Sequence, residues 1–164
     1  MSLRADLEKL PAHCWQNEFV KIRPLKTEAD LIYAVCDCQL SEAQKEWVNP
    51  AWFSIGRAYL CREDHYPCII YDKEDAAIGF IHFYKWLGRG DAYSWSFFID
   101  QRHQGKGYGK QAAQLAAAIL KAARPDQCIK LAAEARNSNA QRLYTSLGFI
   151  KLPETDGDDL VFGL

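Results

Sequence analysis

Gln104-Gly105-Lys106-Gly107-Tyr108-Gly109-Lys110 sets three glycines at alternate positions between a strand-like run ending Phe98-Ile99-Asp100 and a long helical pattern. Glycines at that spacing let the main chain turn sharply and bring several N–H groups to one point. The helix that opens near Tyr108 adds its unsatisfied first-turn N–H groups and the positive end of its dipole. An anion, most simply a phosphate or diphosphate, suits such a turn. Arg102, His103, Lys106 and Lys110 add side-chain charge around it. The plain alternative is a tight strand-to-helix turn with no ligand. Two nucleotide loops are excluded by spacing. Lys106 is followed by Gly107 and Lys110 by Gln111, so no Ser or Thr stands where a P-loop holds magnesium. Counted from Gly105, Lys110 occupies the place of the third glycine of the dinucleotide fingerprint.

Charge is divided along the chain. Gln101 to Arg124 holds five Lys or Arg and no acid, whereas Thr27 to Asp75 holds ten acids and four bases. Solvated faces would explain this, as would two ligands of opposite sign.

The elements that must position these residues are legible from periodicity. Residues 1–17 form an N-terminal segment with a short helix, since Leu3, Leu7 and Leu10 share a face and Pro11 ends it. Residues 18–164 form one domain. Phe19 to Leu25 alternates as a strand. Thr27 with Asp30 opens a helix whose expected apolar stripe is Leu31, Ile32, Val35 and Cys36. Asn49-Pro50 starts another, with Trp52, Ile55, Gly56 and Tyr59 at helical spacing and Trp52 and Tyr59 expected in the core. Cys68 to Asp100 reads as a three-stranded antiparallel meander with turns at residues 73–76 and 88–91. Ala112, Leu115, Ala116, Ile119, Leu120 and Ala123 trace a strong amphipathic helix. A strand at residues 128–135 follows, then a helix capped by Asn137 or Ser138 and closed by Gly148. Two last strands flank residues 155–158. The result is a mixed α/β (α+β) domain.

The 164 residues, 49% hydrophobic and 25% charged, have the composition of a globular domain able to bury a core without disulfides or metals. A net charge of −1 argues against a nucleic-acid binder. The six cysteines show no zinc or redox spacing and read as free thiols of a reducing compartment, with the cytoplasm as the expected location. No metal site and no membrane partner are expected, since no stretch approaches the length of an apolar span.

Gln104-x-x-Gly107-x-Gly109 resembles the acyl-CoA signature of the Gcn5-related N-acetyltransferases (GNAT). Asn137-x-x-Ala140-x-x-Leu143-Tyr144-x-x-x-Gly148-Phe149 is similar to that family's late helix and the strand after it. The likeness covers Phe98 to Phe149 well, and the order of elements extends it from Phe19 to Leu164. It implies a mostly antiparallel sheet of six or seven strands, splayed in its middle and flanked by about four helices. Acetyl-CoA would lie in the splay as acetyl donor. Its diphosphate would meet the main chain of Gly105, Lys106, Gly107, Tyr108, Gly109 and Lys110, beside Gln104. Its pantetheine arm would follow Phe97, Phe98 and Ile99 as an added strand, and Asn137 would hold it from the other side. Tyr144 occupies the general-acid position, where a phenol protonates the leaving thiolate.

The strand before the loop, Tyr93 to Phe98, lacks the glutamate that many relatives use as base. Tyr93 or Ser94 stands in its place. His82, Asp91, Glu134 or water remain open, and no base is assigned. The acceptor is expected to be a primary amine of a small molecule. The loop resembles that of the diamine and polyamine acetyltransferases, which favours a polyamine, and aminoglycosides, amino acids and protein N-termini stay open. Acids and aromatics of the early helices, among them Glu28, Asp30, Glu46, Trp47, Trp52 and Tyr59, suit a cation. A non-catalytic acyl-CoA sensor is the other reading. Relatives are often homodimers.

Overall fold

The computed structural model describes residues 2–88 and 90–164. Arg89, in the turn expected at residues 88–91, lies outside them. Seven strands form one sheet in the order β1-β2-β3-β4-β5-β7-β6. β1 (Val20–Pro24), β2 (His65–Asp72), β3 (Ala77–Lys85) and β4 (Ala92–Ile99) pair antiparallel in succession. In β1 the alternation holds: Val20 and Ile22 are buried and Arg23 is exposed. β5 (Cys128–Ala133), β6 (Ile150–Asp156) and β7 (Asp159–Gly163) form a second antiparallel unit with β7 in the middle.

The two units meet along one short parallel seam. β4 and β5 pair only at Ala92–Cys128 and Tyr93–Ile129. From Ser94 to Ile99, β4 keeps β3 on one edge, and β5 turns away to β7 on the other. The sheet therefore opens into a wedge whose inner edge is the free side of β4, as the GNAT resemblance implied.

Six α-helices accompany the sheet among the described residues: α1 (Leu3–Glu8), α2 (Glu28–Ile32), α3 (Glu42–Lys45), α4 (Ala51–Leu60), α5 (Tyr108–Ala123) and α6 (Ser138–Ser146). That is two more than the approximate four expected, the additions being short. α5 buries Ala112, Leu115, Ala116, Ile119 and Leu120 of the expected stripe, leaves Ala123 at its end partly exposed, and adds Ala113. α1 belongs to the same core. Leu3 and Leu7 are fully buried, and the Ser2 hydroxyl accepts the Ala5 N–H at 3.1 Å to cap the helix. Between them the buried Asp6 accepts a hydrogen bond from the Tyr93 hydroxyl and faces Arg124 at 3.9 Å. One carboxylate thus joins α1, β4 and the end of α5.

Two helix faces differ from the sequence expectation. The Thr27–Asp30 capping box forms, but Leu31, Ile32, Val35 and Cys36 lie exposed. After Ile32 the chain widens into a π-turn, Tyr33–Asp37. Such a turn closes i to i+5 and rotates the side chains that follow. Ala34 and Cys38 go inward in place of the stripe. In α4, Pro50 is the N-cap, one residue beyond the Asn expected there. The buried face is Ala51, Ser54 and Ala58, while Trp52 is 61% and Tyr59 84% exposed. Small side chains let α4 lie close on the sheet, and the aromatics expected in the core are left outside.

Candidate active site

A cleft of about 970 Å³ fills the wedge. Its floor is Trp95 to Ile99 of β4 and Ala132 and Ala133 of β5. The Phe98 and Ile99 side chains are buried, Phe98 against Phe80 at 5.8 Å between ring centroids. Those two residues therefore offer mainly their main chain to the cleft.

At the Ile99 end stands the glycine loop. Gly105 and Gly107 have φ of +76° and +83°, a region that L-residues with a Cβ rarely adopt. A Cβ at either position would meet nothing within 4 Å, and both residues line the cleft. The space beside them is open, as a bound group requires. Gly107 is also the N-cap of α5 and has no side chain to satisfy the first turn. The N–H groups of Tyr108, Gly109 and Lys110 are thus left for an external acceptor.

The loop is tied down at both ends. Asp100 is fully buried; it accepts from the main-chain N–H and Nε of Arg102, each at 3.0 Å. Burial raises the Asp100 carboxyl, but its hydrogen bonds to Arg102 prevail and hold it below the ordinary value. Arg102 is thereby committed to Asp100 and to the Asp37 carbonyl, at 2.8 Å, and is no loose charge for an anion. Gln104 donates from Nε2 to the Ile99 carbonyl at 2.9 Å and to Gln44 Oε1 at 2.7 Å. Gln44 is the capping-box partner of Ser41, so α3 braces the loop.

Of the residues expected to bind cofactor, Phe98, Ile99, Gln104, Gly105, Gly107, Tyr108, Gly109 and Asn137 line this one cleft, as does Tyr144. Lys106 and Lys110 are exposed outside its lining. Asn137 caps α6, with Oδ1 accepting the Ala140 N–H at 3.1 Å. Its side-chain NH2 is the part left to meet a ligand.

Tyr144 of α6 packs its ring 5.6 Å from Phe162 and 6.0 Å from Phe149. Burial pushes its phenol well above the ordinary value, and nearby Tyr84 adds to the shift. The group is fully protonated at neutral pH and has a proton to give.

The cleft is also lined by residues that the sequence did not single out: Arg57, Tyr84, Trp86, Asp156 and Asp159. They come from α4, β3 and the residue just after it, β6 and β7, and match no motif. Burial raises the Asp159 carboxyl, and Asp156, Glu134 and Asp158 raise it further. This crowding of negative charge would be relieved by an ammonium group. Trp47 also lines the cleft; Trp52 and Tyr59 do not.

The open question of a base is narrowed. Tyr93 is engaged with Asp6, Ser94 is fully buried, and neither lines the cleft. Asp91 pairs with Lys85 at 3.4 Å. His82 is buried and hydrogen-bonds His65 at 2.9 Å; burial brings it down to about 3. Glu134 lines the cleft, paired with Arg136. Among the described residues no cluster of His, Cys, Asp and Glu could hold a metal, no helix is long and apolar enough to cross a membrane, and the six cysteines are free.

The comparisons agree with this geometry. Among solved structures, spermidine N-acetyltransferase from Vibrio cholerae, in complex with CoA and spermine, is similar at 16% identity over 90% of this chain and 94% of that one, with a TM-score of 0.68. An acetyltransferase from Agrobacterium tumefaciens matches at 19% identity, 91% and 92% coverage and TM-score 0.70. The aminoglycoside acetyltransferase AAC(6')-Ib, in complex with coenzyme A, matches at 21%, 88% and 92%, and 0.68. At these identities the likeness is one of fold. No curated protein matches the sequence. The model of the Acetyltransferase (GNAT) family matches residues 31–149, which is most of the chain, and the protein belongs to that family.

Proposed function

We propose that the protein is an acetyl-CoA-dependent N-acetyltransferase that acts on a primary amine of a small molecule, with Tyr144 as general acid. The observation that carries this reading is the wedge. One cleft joins an anion-ready loop, a free strand edge and a protonated phenol. The open space at Gly105 and Gly107 and the first-turn N–H groups of α5 fit a diphosphate. The free edge of β4 fits an extended arm with amide groups, which would bond to it as a strand does.

When bound, acetyl-CoA supplies an acetyl group already activated as a thioester. The chain's own residues do the rest. The loop and β4 hold the donor at two separated points and so fix its direction. Asp156, Asp159 and Glu134 line the same cleft and would draw an ammonium into it. Tyr144 keeps the proton that a departing thiolate needs. Its raised pKa is matched because the same burial penalises a thiolate as it penalises a phenolate.

The carboxylates support an acceptor with at least one ammonium group. A polyamine meets that requirement, and the likeness of the glycine loop to the polyamine branch supports it too. The experiment is release of free CoA thiol with a panel of amines, run beside calorimetric binding of acetyl-CoA. Amine-dependent release is expected. Tight acetyl-CoA binding with no release from any amine would make the protein a sensor of acyl-CoA.

A further inference from the structure

Arg57 lines the cleft and, among the described residues, makes no ion pair. It comes from α4 and is half-buried. Among the described residues its guanidinium also forms no hydrogen bond. The Tyr84 ring centroid lies 5.7 Å from its Cζ, and the buried His65 and His82 also feel its charge. A half-buried guanidinium that leans on an aromatic face keeps its N–H fork free for a planar anion.

The anion it awaits is not the donor's diphosphate. Tyr84 pairs with Ser94 in the β3–β4 ladder. Ile99, to which Gln104 fastens the glycine loop, lies five residues further along β4. At the rise of an extended strand that is roughly 17 Å. The diphosphate site and Arg57 therefore sit at opposite ends of the cleft. Tyr84 feels both Arg57 and Asp156, which shift its phenol in opposite directions, and it also acts on Tyr144. Arg57, Asp156 and the general acid thus converge around one phenol.

We infer that Arg57 binds an anionic group of the acceptor, so that the acceptor is an amine that also carries a carboxylate or phosphate. Its ammonium is drawn by Asp156 and Asp159, and its anion by the Arg57 fork. This rests on the cleft being an N-acetyltransferase site and narrows the acceptor class within it. It also sets a purely cationic polyamine second, because such a molecule would bring further positive charge to the Arg57 guanidinium.

The test uses matched amines that differ at one end: a free carboxylate, a phosphate monoester or a neutral amide, with spermidine alongside. Wild-type enzyme is expected to show kcat/KM at least tenfold higher for one of the anionic members than for the amide and spermidine. The preferred member tells carboxylate from phosphate. Arg57→Gln should erase that preference through KM while acetyl-CoA affinity, read by calorimetry, stays unchanged. Arg57→Lys, which keeps charge but loses the fork, should fall between the two. If the amide or spermidine is acetylated as well as the anionic amines, or if Arg57→Gln lowers turnover of all of them alike, the inference is overturned while the acetyltransferase reading stands. If no amine releases thiol, the acetyltransferase reading itself has failed.

Discussion

Gln104 and Ile99 are joined by a single hydrogen bond, side-chain amide to main-chain carbonyl, at 2.9 Å. That bond fastens the turn proposed to hold a diphosphate to the strand proposed to carry the arm behind it. The same Nε2 reaches Gln44 at 2.7 Å, so the turn, β4 and α3 move together. Gln104→Ala should weaken acetyl-CoA binding by about tenfold, the effect of one hydrogen bond and some lost preorganisation. The maximal rate should change little. Calorimetric titration beside steady-state kinetics would check both, and an equal loss in kcat would show that Gln104 acts on chemistry rather than on the loop.

Two glycines separate conformation from space. Gly107 has positive φ, and a Cβ there would project into open cleft. Gly107→Val should abolish acetyl-CoA binding, and even Gly107→Ala should carry about 1–2 kcal/mol of strain. Gly56 lies in α4 with nothing within 4 Å of a Cβ and no positive φ. Gly56→Ala should therefore stabilise the fold by about 0.5–1 kcal/mol and leave binding alone. Urea unfolding of both alanine variants gives the two opposite signs directly.

Tyr144→Phe keeps the ring that packs on Phe149 and Phe162 and removes only the proton donor. Turnover should fall tenfold or more with acetyl-CoA affinity nearly intact. Unchanged turnover would assign the proton to another group.

The buried histidines set an acid limit on stability. Burial lowers both His65 and His82, the latter to about 3 from an ordinary 6.5. Between those values the unfolded chain binds a proton that folded His82 refuses, so stability rises with pH through this window. It is fully present above about pH 6.5 and falls by about 1.4 kcal/mol per pH unit for His82 alone as pH drops toward 3. Denaturation midpoints measured from pH 7 to 4 should decline, and His82→Phe should flatten that slope. A slope the same in the variant would place the loss elsewhere.

The parts of the site held by short-range rules were legible before the structure. Alternate glycines before an amphipathic helix announce a turn with spare N–H groups, and Asn137 to Gly148 reads as a capped helix whatever surrounds it. The acceptor end was not legible. Arg57, Tyr84, Asp156 and Asp159 share one cleft only because α4 packs on β2, the neighbour of β3, and the β6–β7 hairpin lines the same space. Nothing in the spacing of those residues records that meeting. The exposed Trp52 and Tyr59 failed for a related reason: periodicity finds the faces of α4 but cannot say which one a neighbouring sheet admits. The π-turn after Ile32 did the same to Val35 and Cys36 at the end of the expected stripe.

The seam between β4 and β5 is two residue pairs long. A molecule seated along the remaining edge would act as a removable eighth strand, completing with borrowed amides what the polypeptide leaves undone. Each catalytic cycle would then strip that edge bare and rebuild it. Amide exchange along Ser94 to Ile99 should accordingly keep time with loading and release, which makes this stretch of main chain a built-in reporter of whether the enzyme is charged or spent.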